Sequence, residues 1–207
     1  MTRIKICGLT NLDDACAAAD YGADALGFIG VPGGPRFIHA EVYEELAPAL
    51  PIFVKRVVVV QRPEDAEEYL AEYVQHYEET VDKSRFRRGA AWRIRAFRVR
   101  GPESLRELAA YPDAVGAVLL DAYHPQKLGG AGETFNWELA TQAKRLTTRP
   151  LILAGGLTPE NVTDALEAVH PYAVDVSSGV EASPGIKDHA KVRAFIRAVR
   201  AWDLRQD

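Results

Sequence analysis

The sequence is short of several things, and each shortage removes a class of protein. It has two cysteines, Cys7 and Cys16, which form no CxxC pair, and no histidines cluster at zinc-ligand spacing. A disulfide or metal scaffold is therefore not expected, and two free thiols point to a reducing cytoplasm. Neither sign of charge dominates: 25 Lys+Arg stand against 29 Asp+Glu, a formal net charge of −4, with no long block of either. That balance argues against nucleic-acid binding as the main task. No apolar run approaches the roughly 18 residues that a membrane span needs. The start, MTRIKICGLT, enters a strand-like segment at once, so no signal peptide is expected. No GxGxxG follows the first strand-like run, which weakens a dinucleotide-binding reading.

What is present is an alternation. Strand-like runs occupy Arg3–Cys7, Asp24–Ile29, Arg56–Gln61, Trp92–Val99, Val115–Asp121, Pro150–Ala154 and Tyr172–Ser177. Several are continuous apolar blocks (VVVV, AVLLD, LILA), the pattern of strands buried on both faces in a parallel sheet under helices. Helical spacing predicts helices over Leu12–Tyr21, Glu41–Ala49, Glu64–Tyr73, Glu103–Ala109, Asn136–Leu146, Glu160–Val169 and Lys187–Trp202. Cys16, in the Ala-rich DDACAAADYGA, reads as a small buried hydrophobe. With no linker-like break, 207 residues are expected to make one domain, residues 1–207. The charged stretch from Ala71 to Gly89 breaks the pattern, with only a faint, irregular strand at Tyr73–His76. Counting it gives eight βα units of about 26 residues, near the lower limit for a closed (β/α)8 TIM barrel. Without it, seven strands form an open doubly wound sheet. The barrel is favoured.

An internal echo fits either arrangement. IKICGLTNLDDA and LILAGGLTPENVTDA share a grammar of strand, glycine, Leu-Thr and acidic helix start. Thr10 and Thr158 are expected to cap their helices, with Pro159 in the first turn. Active sites of such barrels lie at the carboxyl ends of the strands. That rule selects Cys7 after the first strand, Arg36 in GVPGGPRF, Asp121 ending VGAVLLD, and Asp175 in the last strand. Gly155, Gly156, Ser177, Ser178 and Gly179 follow the seventh and eighth strands, where a phosphate commonly binds, and EASPGIKD is a candidate short helix start for it. Each has a plainer reading: Cys7 as a buried small residue, Asp121 as a loop cap near Pro125 and Gly129-Gly130, Arg36 as a surface charge, the glycines as turns, and Asp175 as a structural hydrogen-bond partner.

Six motifs decide among these readings. KICGLT, the Pro-Arg of GGPRF, LLDA at 119–122, GGAGETFNW at 129–137, LAGGLTPENV at 153–162 and VDVSSGVEASPGIKD at 174–188 resemble the phosphoribosylanthranilate isomerase family nearly end to end. The resemblance implies a (β/α)8 barrel of tryptophan biosynthesis. Its expected reaction is the Amadori rearrangement of N-(5′-phosphoribosyl)anthranilate to 1-(2-carboxyphenylamino)-1-deoxyribulose 5-phosphate, without metal or organic cofactor. It implies that Asp121 is the acid, Cys7 the base, and Arg36 the partner of the anthranilate carboxylate. For those roles Asp121 needs a raised pKa, and Cys7 a lowered pKa or deprotonation on demand.

The sequence also departs from the family. Val74-Gln75-His76-Tyr77 stands where the family reads QLHG, leaving open whether Gln75 or His76 faces the ligand. The third strand reads VVVVQ without the usual Asn, Gly34 replaces a serine, and WRIRAFRVR carries four arginines in nine residues. Two rival readings are a related phosphosugar isomerase, which would carry Asp where Cys7 stands, and a non-catalytic phosphometabolite-binding barrel. The expected partner is a small phosphoribosyl substrate rather than a nucleic acid or a membrane, and the chain is expected to be a monomer or homodimer.

Overall fold

The computed structural model describes residues 1–77, 92–99, 101–110, 116–122 and 137–206. Eight parallel strands close on themselves in sequence order. They are β1 (Arg3–Cys7), β2 (Ala25–Ile29), β3 (Lys55–Val60), β4 (Tyr73–His76), β5 (Trp92–Val99), β6 (Ala117–Ala122), β7 (Leu151–Ala154) and β8 (Ala173–Val176). The β1–β8 seam pairs Arg3 with Ala173 and runs on to Ile6 with Val176, so the barrel rather than the open sheet is correct. The faint strand is present: β4 pairs in parallel with β3 and with β5 over all four of its residues.

Alternation along each strand separates two cores. Ile4, Ile6, Leu26, Phe28, Val58, Val60, Leu153 and Val174 point outward into one large cluster beneath the helices. Val57, Ile94, Ala96, Leu119, Ile152, Ala154 and Ala173 point inward and fill the barrel. This division explains why the strands read as unbroken apolar blocks.

The outer layer comprises α1 (Leu12–Asp20), α2 (Ala40–Leu46), α3 (Ser104–Ala110), α4 (Trp137–Leu146), α5 (Val162–Val169) and α6 (His189–Asp203). In α6 the apolar stripe Val192, Phe195, Ile196, Val199 and Trp202 is buried, and Asp188 caps the helix by accepting from the amides of Ala190 and Lys191. Asn11, not Thr10, caps α1 by accepting from the Asp14 amide at 2.9 Å, while the Thr10 hydroxyl donates to the Gly185 carbonyl. Thr158 does not cap α5 as expected: the cap position is Asn161, whose side chain accepts from the Thr158 amide at 2.8 Å, while the Thr158 hydroxyl accepts from the Glu160 amide at 3.2 Å in the preceding turn.

Two further expectations need correction. The helix expected over Glu64–Tyr73 is only a 3-10 turn, Pro63–Ala66, closed by Arg62 and Asp65. The chain must travel from the carboxyl end of β3 back to the start of β4 within twelve residues, and Glu64, Glu67 and Glu68 repel at helical spacing. The stretch EASPGIKD is not a helix start but an antiparallel hairpin, β9 (Glu181–Ser183) with β10 (Ile186–Lys187). Gly185, at φ 86°, makes its turn, and the one-turn 3-10 helix after β8 is Ser178–Val180. Position 136 of the expected fifth helix, the 129–136 part of GGAGETFNW, Pro125 and Gly129-Gly130 lie outside the described residues.

The two chain termini are tied at the amino-terminal end of the barrel. Asp203 accepts from both the amide and the hydroxyl of Thr2 at 2.8 Å, and Arg200 donates to the Thr2 carbonyl and to Asp24. Asp203→Ala strands two buried donors, which should cost about 2–4 kcal/mol. For a chain of this size that corresponds to a Tm lower by roughly 5–10 °C. Urea melts should show the loss as a lower midpoint at unchanged slope; an unmoved midpoint would show that this tie does not hold the barrel closed.

Candidate active site

Cys7 ends β1 with its side chain turned into the barrel, two residues above Lys5 on the same face, and it is only 6% exposed. Space for both comes from β2: a Cβ on Gly27 would lie 2.8 Å from the Cys7 Sγ and 3.0 Å from the Lys5 Cε. Lys5 and Asp175, opposite each other across the β1–β8 seam, form a buried ion pair with Nζ 3.0 Å from both carboxylate oxygens. Burial works against the Lys5 charge, but Asp175 and Cys7 outweigh it and hold the ammonium well above the usual lysine range. Burial pushes the Cys7 thiol up, and Asp175 adds to this, while Lys5 and Lys187 pull it down. The net direction is upward, so the resting side chain is a thiol; of the two expected alternatives, a lowered pKa is not found and deprotonation on demand stays.

Asp121 enters the same mouth from β6, opposite Arg98 of β5. Burial pushes its carboxyl up to about 6, with the Asp175 charge adding to the shift and Arg98 and Lys5 opposing it. The raised value matches what an acid needs. Tyr77, just past β4, has its phenol pushed up by burial and by the Asp121 and Cys7 charges, so it stays protonated. The Arg98 guanidinium stacks on its ring, 4.6 Å from the centroid. Gln75 shares the inward face with Tyr73 and Tyr77; its Oε1 is buried with no hydrogen-bond partner among the described residues. His76 points the other way, fully buried, so Gln75 is the residue of this pair that faces the interior.

A second charged cluster closes the rim. Arg36 donates to Glu181 through Nε at 2.8 Å and Nη2 at 2.6 Å, and Lys187 donates to the same carboxylate at 2.9 Å. Burial alone would raise Glu181, yet these two cations hold its carboxyl below the usual range. Gly8, at φ 74°, passes between this cluster and β8: a Cβ there would lie 2.8 Å from both the Arg36 Cδ and the Ser177 Oγ. The Ser177 Oγ is buried without a hydrogen-bond partner among the described residues. Gly155 and Gly156 take positive φ of 86° and 67°. Gly179 presses so close to the next loop that a Cβ would collide with the Leu157 carbonyl.

The expected residues therefore gather at one end of the barrel: Cys7, Asp121 and Asp175 line its interior, while Arg36, Gly155, Gly156, Ser177, Ser178 and Gly179 surround it on the loops. Sequence reasoning missed Lys5, Tyr77, Arg98, Glu181 and Lys187. Lys5 had a signal, because a lysine inside the apolar strand RIKIC shares the parity of Cys7. Among the described residues no group of three or more His, Cys, Asp or Glu could hold a metal ion, and no helix is long and apolar enough to cross a membrane.

Residues 4–198 match the profile of the family described as N-(5′phosphoribosyl)anthranilate (PRA) isomerase. The chain is 47% identical to the N-(5′-phosphoribosyl)anthranilate isomerase of Geobacter metallireducens, over 97% of this chain and 100% of that one. Its fold is similar to the crystal structure of phosphoribosyl anthranilate isomerase from Thermotoga maritima, with a TM-score of 0.87, 39% identity, and 97% and 100% of the two chains covered. It is also similar to a phosphoribosyl anthranilate isomerase solved in complex with reduced 1-(o-carboxyphenylamino)-1-deoxyribulose 5-phosphate. There the TM-score is 0.83 and the identity 37%, with 97% and 100% covered.

The elevated carboxyl carries a stability consequence. An acid whose folded pKa lies above its unfolded value destabilises the fold once pH exceeds the unfolded pKa, and the penalty levels off above the folded one. For Asp121 that window is pH 3.8 to about 6, and the penalty amounts to about 2–3 kcal/mol. Asp121→Asn should therefore raise the urea midpoint at pH 7.5 and leave it nearly unchanged at pH 4. An equal effect at both pH values would show that the carboxyl is not elevated.

Proposed function

The chain belongs to the N-(5′-phosphoribosyl)anthranilate isomerase family and isomerises N-(5′-phosphoribosyl)anthranilate in tryptophan biosynthesis; from that premise we propose that Asp121 and Cys7 move its two protons. Asp121, as the carboxylic acid, protonates the furanose ring oxygen while the anthranilate nitrogen lone pair expels it, giving the open-chain Schiff base. Cys7, as the thiolate, then removes the proton from the adjacent carbon. The electron pair of that C–H bond flows toward the cationic nitrogen, giving the enolamine that tautomerises to the ketone.

The observation that carries this assignment is the Asp121 carboxyl raised to about 6 in the barrel mouth into which Cys7 also points. At pH 7 roughly a tenth of such a group is protonated, against well under one per cent of an ordinary aspartate. The active form has Asp121 protonated and Cys7 ionised. It holds the same number of protons as the resting form, so its share stays constant between the two titrations.

Arg36 binds the anthranilate carboxylate. Glu181 takes its Nε and Nη2 edge, which leaves Nη1 for the ligand and fixes the plane of the guanidinium. The 5′-phosphate binds on the backbone amides around Gly155, Gly156, Ser177, Ser178 and Gly179, and it satisfies the buried Ser177 hydroxyl. Asp175 acts from beneath the substrate through its pairing with Lys5. The reaction proceeds in the cytoplasm, where both free cysteines stay reduced.

The test follows anthranilate fluorescence with substrate generated in situ. Wild type should quench it rapidly, whereas Cys7→Ser and Asp121→Asn should each lose roughly 10²–10⁴-fold in kcat with folding intact. Either variant within tenfold of wild type removes that residue from its role. Arg36→Met leaves Glu181 paired with Lys187 and should raise KM by roughly ten- to a hundredfold, with a smaller effect on kcat; an unchanged KM would place the carboxylate elsewhere.

A further inference from the structure

The barrel interior contains one feature that neither proton transfer uses directly, the buried pair Lys5 and Asp175. As a stabilising device it is poorly motivated. Burying two ions costs several kcal/mol each, and replacing such a pair by well-packed apolar side chains is commonly neutral or better. The same interior is otherwise filled by apolar side chains such as Val57, Leu119 and Ile152. Its placement suggests a different purpose. Two Nζ contacts go to the Asp175 oxygens, and Lys5 stands two residues before Cys7 on the same inward face of β1, where its charge acts on the thiol. The Cys7 Sγ and the Lys5 Cε both rest over the bare face of Gly27. Asp121, two residues beyond the inward-facing Leu119 on β6, faces the same interior, and the Asp175 charge adds to the rise of its carboxyl.

We infer that the Lys5–Asp175 pair is an oriented dipole set beneath the two reacting groups, its ammonium end stabilising the Cys7 thiolate and its carboxylate end keeping the proton on Asp121. The two residues are positioning residues, and the inference rests on the roles given above to Cys7 and Asp121. A base is helped by a nearby cation and an acid by a nearby anion, so one ion pair held in one orientation serves both. The other groups facing Cys7 are Lys187 of β10, Arg36 after β2 and Tyr77 after β4. Those facing Asp121 are Arg98 of β5 and Tyr77. None of these touches both reacting groups with opposite signs of charge.

The decisive signature is opposite movement at Cys7 from the two ends of one pair. In a Cys16→Ala background, the alkylation rate of Cys7 by neutral iodoacetamide at pH 8 reports its thiolate fraction. Lys5→Met should slow alkylation by about tenfold or more, and Asp175→Asn should accelerate it, because an opposite charge at this range shifts a thiol by one unit or more. Carbon NMR of the Asp121 carboxyl should show its titration moving to lower pH in Asp175→Asn. A purely structural pair would loosen the site and shift both single variants in the same direction, or shift neither; either result overturns the inference. If Lys5→Met fails to fold around a stranded Asp175, the double variant Lys5→Met/Asp175→Asn, which strands no charge, must alkylate more slowly than Asp175→Asn alone. Alkylation does not depend on turnover. Should Cys7→Ser prove active, the base assignment falls while the coupling between the pair and the thiol is still decided.

Discussion

Two opposite charges stand inside the barrel with almost no water around them, Lys5 on β1 and Asp175 on β8, their side chains 4% and 8% exposed. Neither is tolerable there alone, since an unpaired buried ion costs several kcal/mol. The pair exists only because β1 and β8 meet at the closing seam in the register that sets Lys5 against Asp175. A slip of one residue would turn Asp175 outward into the apolar layer and present Val174 or Val176 to the lysine. Closure of the fold and the charge pattern of the site are therefore one constraint. Gly27 belongs to it as well, because any side chain there would displace Cys7 and Lys5 together.

From that constraint the two ends of the site diverge. Asp121 and Glu181 are both carboxyls at the barrel mouth that burial pushes upward, yet they end on opposite sides of the usual range. Glu181 receives Arg36 and Lys187 and stays ionised. Asp121 has the Asp175 charge nearby, and Arg98 and Lys5 only partly offset burial, so it rises. The first serves as a fixed anchor that orients a guanidinium, and the second as an acid. Cys7 lies between these regimes, raised by burial and restrained by two lysines.

Much of this was legible beforehand. The strand-like runs marked seven strands and left the eighth, Tyr73–His76, as a faint one in a charged stretch; β1, β4 and β5 match to the residue. The strand-end rule brought Cys7, Asp121 and Asp175 to one mouth without any structure. The misses share a cause. The hairpin at Glu181–Lys187 reads like a helix start because its Ser-Pro-Gly turn uses the residues that also punctuate helices. The third connection reads as a helix because periodicity carries no information about how far the chain must travel in twelve residues. His76 and Gln75 could not be told apart until the register of β4 against β3 and β5 was known.

The sequence by itself determined the βα alternation, the inward parity of Cys7 and Lys5, and the family, because these depend on local spacing and on motifs that survive in one dimension. Only the tertiary structure decided which charges meet. The partners Lys5 and Asp175 are 170 residues apart, and Arg36 and Glu181 are 145 apart. Whether a carboxyl ends as an acid or as an anchor depends on which cations and anions the closed barrel brings beside it. Coulomb interactions and desolvation act through space, so the direction of each pKa shift at this site belongs to the fold and not to the order of residues along the chain.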